Sequence, residues 1–179
     1  MPEIEVNGIE LNYEVSGQGQ PIFFIHGLGS AGRDWEYQVD YFAQHYQVIT
    51  YDVRGHGKSA KPRGPYSVPL FAADAASLIK ALKIEPVHVV GISMGGMIAF
   101  QLAVSAPELL RSLIIVNSAP ELVVKTLAER IQLLQRLLIV RLFGMRQMGQ
   151  VLSRRLLPKE EHAPLRRLFV QRWAENDRR

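Results

Sequence analysis

The 179 residues predict an α/β fold: a mostly parallel sheet with helices on both faces. Three observations carry this. Short apolar runs of strand type, at 21–25, 46–51, 87–91 and 112–116, alternate with segments of helical periodicity. The third run, Val87-His88-Val89-Val90, passes through Gly91-Ile92-Ser93-Met94-Gly95 directly into a helix rich in small residues. After Asn117-Ser118-Ala119-Pro120 the alternation ceases and everything onward reads as helix.

Taken in order, residues 3–7 and 9–15 alternate in polarity around Asn7-Gly8, a turn dipeptide that favours a tight hairpin. Pro21-Ile22-Phe23-Phe24-Ile25 is a buried strand running into His26-Gly27-Leu28-Gly29, and a helix is expected from about Asp34. Residues 46–51 form the next strand, followed by the loop Asp52-Val53-Arg54-Gly55-His56-Gly57-Lys58-Ser59. Ser67 to Leu82 reads as an amphipathic helix. The helix after Ser93 is expected to stop before Pro107, and 112–116 is the sixth strand. Residues 1–120 therefore form a core segment and 121–179 a separate helical one, with helices over 121–157 and 160–175.

Ser93 is the candidate nucleophile. A serine in GxSxG between strand and helix sits on a turn so tight that its hydroxyl stands clear of the sheet, and only minimal side chains fit two residues to either side. Gly91 and Gly95 meet that demand. Two other motifs compete. Gly27-Leu28-Gly29-Ser30-Ala31-Gly32 satisfies GxGxxG with Asp52 at the end of the next strand, which taken alone is a dinucleotide-binding (Rossmann) fingerprint; it accounts for neither Ser93 nor the loop after Asp52. Gly57-Lys58-Ser59 resembles the end of a P-loop, but the first glycine is replaced by Asp52 and the following Lys61-Pro62-Arg63-Gly64-Pro65 forbids the required helix.

The HG loop at 26–27, the DxRGHGxS loop at 52–59 and GxSMGG at 91–96, in this order, resemble the α/β-hydrolase family, and the likeness extends over residues 1–120. Within the family the chain is most similar to 3-oxoadipate enol-lactonase and related carboxylic-ester hydrolases. That resemblance implies an acyl-serine mechanism without a metal or organic cofactor. Ser93 would attack, and the backbone N–H groups of Leu28 and Met94 would bind the oxyanion. Gly27, Gly91, Gly95 and His26 would support the loop and elbow, and the helical segment 121–179 would be a cap over the serine. Leu127, Leu134, Leu138, Phe143 and Met145 are its candidate lining residues.

In this fold the order after the serine is an acid and then a histidine. Downstream of Ser93 the sole histidine is His162, in the polar stretch Pro158 to Pro164, and the expected position of an acid holds Asn117 and then Glu121. Neither a catalytic acid nor a base is identified, and the expectation is a chain truncated within the cap, ahead of the last two strands. Such a chain carries only the nucleophile half of the machinery and is expected to be inactive or nearly so. It exposes a sheet edge, through which completion by another polypeptide or self-association is expected. A non-catalytic α/β-hydrolase-like binding or scaffold protein is the alternative.

Composition narrows the remaining classes. With 47% hydrophobic residues and no cysteine, the chain has a core but no disulfide, thiol nucleophile or Cys-based metal site. The N-terminus has no basic-then-apolar leader, and no apolar run reaches the roughly 20 residues of a bilayer span, so a cytoplasmic protein without membrane partners is expected. Net charge is +4 but uneven: residues 1–124 hold 8 basic and 12 acidic side chains, residues 125–179 hold 13 and 5. The arginines lack an aromatic platform or known module for nucleic acid, so none is expected as a partner, and a solvated helical face is the expected reading. A small ester or lactone is the expected partner.

Overall fold

The computed structural model describes residues 2–121 and 125–176, with the side chains of 136 and 137 left undescribed. Residues 122–124 and 177–179, which the sequence assigns to the second segment, lie outside the described residues. The chain forms two compact units, Met1–Glu121 and Leu122–Arg179.

In the first unit a six-stranded sheet is built from β1 (Glu3–Val6), β2 (Ile9–Ser16), β3 (Gln20–Ile25), β4 (Tyr46–Tyr51), β5 (Val87–Ile92) and β6 (Leu110–Val116). Its order is β1-β2-β4-β3-β5-β6. The hairpin turns at Asn7 and Gly8, both with positive φ as such a turn requires, and pairs Val6 with Ile9. β2 runs antiparallel to β4, while β4, β3, β5 and β6 are mutually parallel. Parallel neighbours need crossovers, and these are α1 (Glu36–Phe42), α2 (Val68–Leu82) and α3 (Met94–Ser105). The helix expected from Asp34 begins instead as a 3₁₀ turn over Gly32–Trp35, and β6 starts two residues earlier than its apolar run.

Alternation along the strands divides the core. Phe23, Ile25, Ile49, Tyr51, Val87 and Val89 point to one face, where they pack with Phe71, Ala75, Leu78 and Ile79 of α2 and Ile98, Ala99 and Leu102 of α3. Ile22, Phe24 and Val48 point to the other face, against Trp35 and Val39 and Phe42 of α1. Toward β5 and β6 that second face stays open: Phe24, Trp35, Phe42, Val90, Ile114 and Val116 line a cavity of about 720 Å³. α2 is capped by Ser67, whose hydroxyl accepts from the Leu70 N–H, and ends on Lys83 in the left-handed region.

The second unit is helical. α4 (Leu127–Leu156) starts with a reciprocal cap, Thr126 Oγ1 accepting from the Glu129 N–H and the Glu129 carboxylate from the N–H groups of Lys125 and Thr126. Those donors hold the Glu129 carboxyl below its usual range. Gly144, at φ 79° and ψ 179°, breaks α4 into two arms. A 3₁₀ turn at Glu160–His162 leads to α5 (Ala163–Ala174), which packs back on α4. No helix among the described residues is long and apolar enough to cross a membrane.

Candidate active site

The C-terminal ends of the parallel strands β4, β3, β5 and β6 release the loops at Asp52, His26, Ser93 and Asn117, so the sequence-singled residues gather at one edge of the sheet. Ligands of open α/β sheets bind at such an edge.

Ser93 links β5 to α3 with φ 53° and ψ −118°, a conformation that strains any residue with a Cβ. Its neighbours hold it there. The Ser93 N–H donates to the Val116 carbonyl at 3.1 Å, and the Ser93 carbonyl accepts from the Gly96 N–H and, at 2.6 Å, from the Ser118 hydroxyl. Close packing explains the glycines. A Cβ on Gly91 would run into the Gly95 carbonyl, and one on Gly95 into the Ile25 carbonyl, so helix α3 and strand β3 approach backbone to backbone. Ser93 itself is solvent-exposed, and its hydroxyl has no hydrogen-bond partner among the described residues.

The loop after β3 lies alongside. A Cβ added at Gly27 would sit 3.4 Å from Ser93 Cβ. Residues 27–30 close a turn through the Ser30 N–H to the Gly27 carbonyl. That turn leaves the Leu28 N–H without an acceptor among the described residues, while the Leu28 side chain is exposed. Met94 is the first residue of α3, where a helical N–H has no carbonyl one turn back.

His26 is fully buried and its protonation is set by geometry. Nδ1 lies 2.8 Å from the Gly27 carbonyl, which only accepts, and Nε2 lies 2.9 Å from the Val53 N–H, which only donates. The ring is therefore neutral with its proton on Nδ1, and it ties the β3 loop to the β4 loop. Burial, and then the nearby His56, push its pKa down to about 3. His56, edge-on at 5.2 Å, is lowered as well, mainly by burial.

Asp52 is consumed internally: its carboxylate accepts from the Gly32 N–H at 2.7 Å and from the Lys58 N–H at 2.8 Å. This corrects the dinucleotide alternative, because the acid that would have to meet a ribose instead joins two loops, and the glycine-rich turn opens into 3₁₀ rather than α-helix. Of the five histidines, His45 is exposed beside β4, His88 contacts Ser112 and Gln20 on the sheet, and His162 lies in the second unit beside Glu161. None bonds to Ser93 among the described residues.

Two supports escaped the sequence reading. Arg54 makes a two-pronged ion pair with buried Asp74 of α2, both contacts at 2.7 Å, and Asn7 adds a hydrogen bond to the same carboxylate. Ser118 clamps the Ser93 carbonyl. The Arg54 partner lies twenty residues away with no motif to mark it. Ser118 gains meaning only once β6 is placed beside β5.

A family profile described as the alpha/beta hydrolase fold matches residues 20–141. The chain belongs to the α/β-hydrolase fold family. Among relatives of this hydrolase fold, a protein of Azorhizobium caulinodans named as a candidate carbamate hydrolase, RutD, is 40% identical over 117 residues, covering 65% of this chain and 44% of that one. The 3-oxoadipate enol-lactonase 2 of Acinetobacter baylyi is 37% identical over 116 residues, 64% of this chain and 43% of the relative. The crystal structure of the enol-lactonase from Burkholderia xenovorans superposes with a TM-score of 0.88 at 26% identity, over 98% of this chain and 68% of that one. The chain thus spans less than half the length of the curated relatives it matches.

Proposed function

We propose that the chain supplies the nucleophile half of a hydrolase for carboxylic esters, lactones or related acyl compounds. Ser93 Oγ attacks the acyl carbon, the ester oxygen departs, and an acyl-serine forms that water then cleaves. The Leu28 and Met94 N–H groups receive the oxyanion. The observation that carries this reading is Ser93 itself: exposed, strained at φ 53° and held by backbone hydrogen bonds to Val116, Gly96, Met97 and Ser118 that leave its hydroxyl uncommitted. The names of relatives, 3-oxoadipate enol-lactonase among them, support a small acyl compound as the substrate class.

To the second unit we assign the family's cap role, selection of the acyl group. Leu127, Leu134, Leu138 and Phe143 present exposed apolar side chains for that purpose, with Met145 half-buried. Proton transfer needs an acid–base pair at the serine, and no histidine is bonded to Ser93 among the described residues. Loss of that pair lowers turnover about 10⁴ to 10⁶-fold while oxyanion stabilisation persists.

The test combines a fluorophosphonate label with turnover of p-nitrophenyl acetate. The expected result is slow stoichiometric labelling that Ser93→Ala abolishes, with turnover close to background. Rapid turnover lost in Ser93→Ala would show a complete active site within the chain. Absence of labelling, with the fold intact by circular dichroism, would favour the non-catalytic scaffold.

A further inference from the structure

The second unit carries a groove of its own. It runs between the second arm of α4 and α5, which cross closely at Gly149: a Cβ there would lie 3.0 Å from Trp173 Cβ and 3.5 Å from Val170 Cα. Beside this crossing the two helices line a concavity of about 800 Å³, within the range of about 300 to 1,000 Å³ usual for small-molecule sites. Arg146, Gln150 and Arg154 rise from α4, one to each turn, and Arg166, Arg167 and Gln171 face them from α5.

Among the described residues no carboxylate lines the groove. Arg146, Arg154 and Arg167 make no ion pair with any described residue. Arg166 is already fixed: its Nη1 donates to the carbonyls of Leu157 at 2.8 Å and Lys159 at 2.6 Å, leaving Nε and Nη2 to act from an anchored position. Four guanidinium groups in one concavity repel one another, and an anion removes that repulsion while matching their planar donors. On a convex helix the same charges would be dispersed in water. Here Arg146, Arg154 and Arg167 stay exposed, as the solvated face expected from the sequence requires, but two helices bring them around one concavity with half-buried Arg166.

We propose that this groove binds a small polyanion, a compound bearing two or more phosphate or carboxylate groups. The shape and lining select that class. The groove has no aromatic side chain on which a nucleic-acid base would stack, and Val170 with two alanines offers too little apolar surface to seat an acyl chain. The carboxamides of Gln150 and Gln171 add neutral donors between the guanidinium groups.

Calorimetric titration of the full 179-residue chain with pyrophosphate and with citrate, at low ionic strength, tests this. Saturable one-to-one binding is expected, with affinity falling about tenfold or more in Arg154→Glu/Arg167→Glu and changing less than twofold in Arg130→Glu, an exposed α4 site outside the groove. Arg154→Gln/Arg167→Gln is expected to weaken binding in the same direction, guarding against misfolding of the charge reversal. Thermal melts should rise with pyrophosphate beyond the shift given by sodium chloride at equal ionic strength. Absence of saturation, undiminished binding by both double variants, or a melt shift matched by sodium chloride overturns the proposal. So does binding to vesicles of phosphatidylcholine and phosphatidylserine that pyrophosphate fails to displace, since the shared anion chemistry would then belong to a lipid surface.

Discussion

At His26, burial converts a titratable side chain into a structural clasp. Protonation would place a second N–H on Nε2 facing the Val53 N–H, so the folded state resists it down to a pKa of about 3, whereas an unfolded histidine protonates near 6.5. The unfolded state then binds more protons between those values. Stability is full above about pH 6.5 and falls as pH drops from there toward 3, by up to about 1.4 kcal/mol per pH unit. His56 adds a slope of the same sign. His26→Asn should flatten this acid limb in chemical-denaturation curves taken between pH 7 and 4; an unchanged slope would contradict the clasp. Tyr51 illustrates the opposite economy. Its ring stacks on Phe23 at 4.9 Å, but its buried hydroxyl has no partner among the described residues, and burial pushes the phenol pKa up. Tyr51→Phe should therefore raise stability by about 1 kcal/mol, read from the denaturation midpoint. A loss of stability would reveal a partner for the hydroxyl.

At the level of elements, the loop from Asp52 to Ser59 is held from two sides, by the Asp52 carboxylate on two backbone N–H groups and by Arg54 on Asp74. Asp74 is 1% exposed, so its removal strands Arg54 in a mostly buried place. Asp74→Ala should cost about 3 kcal/mol in equilibrium unfolding and loosen this loop toward proteolysis. Much of the element order was legible: alternating apolar runs marked the strands, Asn7-Gly8 the hairpin, Ser67 a helix start and Pro107 a stop. What stayed hidden depends on tertiary register. The 3₁₀ turn at Gly32 lies so close to β4 that a Cβ there would sit 3.1 Å from the Tyr51 backbone, a proximity that no local pattern encodes. The break at Gly144 was likewise masked by leucines continuing on both sides. Ser93 was legible because the elbow demands glycine at fixed offsets, whereas Ser118, which bonds to Ser93, and Asp74, which anchors Arg54, obey no such spacing.

At the scale of the whole molecule, strand order leaves β6 at an edge without a partner strand among the described residues, and Val90, Ile114 and Val116 line a cavity on one face of the sheet. Unpaired edges recruit other strands. Sedimentation coefficients of the isolated chain should therefore rise between micromolar and near-millimolar concentration. Ile114→Lys, a charge set on that face, should suppress the rise. Concentration-independent monomer would show that the edge is guarded by some other means. The charge division between the units acts separately, since the basic surplus resides entirely beyond residue 124.

The same outermost strand grips Ser93 through Val116 and, just past its end, Ser118. Fraying of that border would therefore release the nucleophile's backbone from its tense posture, and any polypeptide zipped onto it would tauten the serine without touching it. On the proposed reading of Ser93 as a nucleophile, any assembly through that border bears on its reactivity.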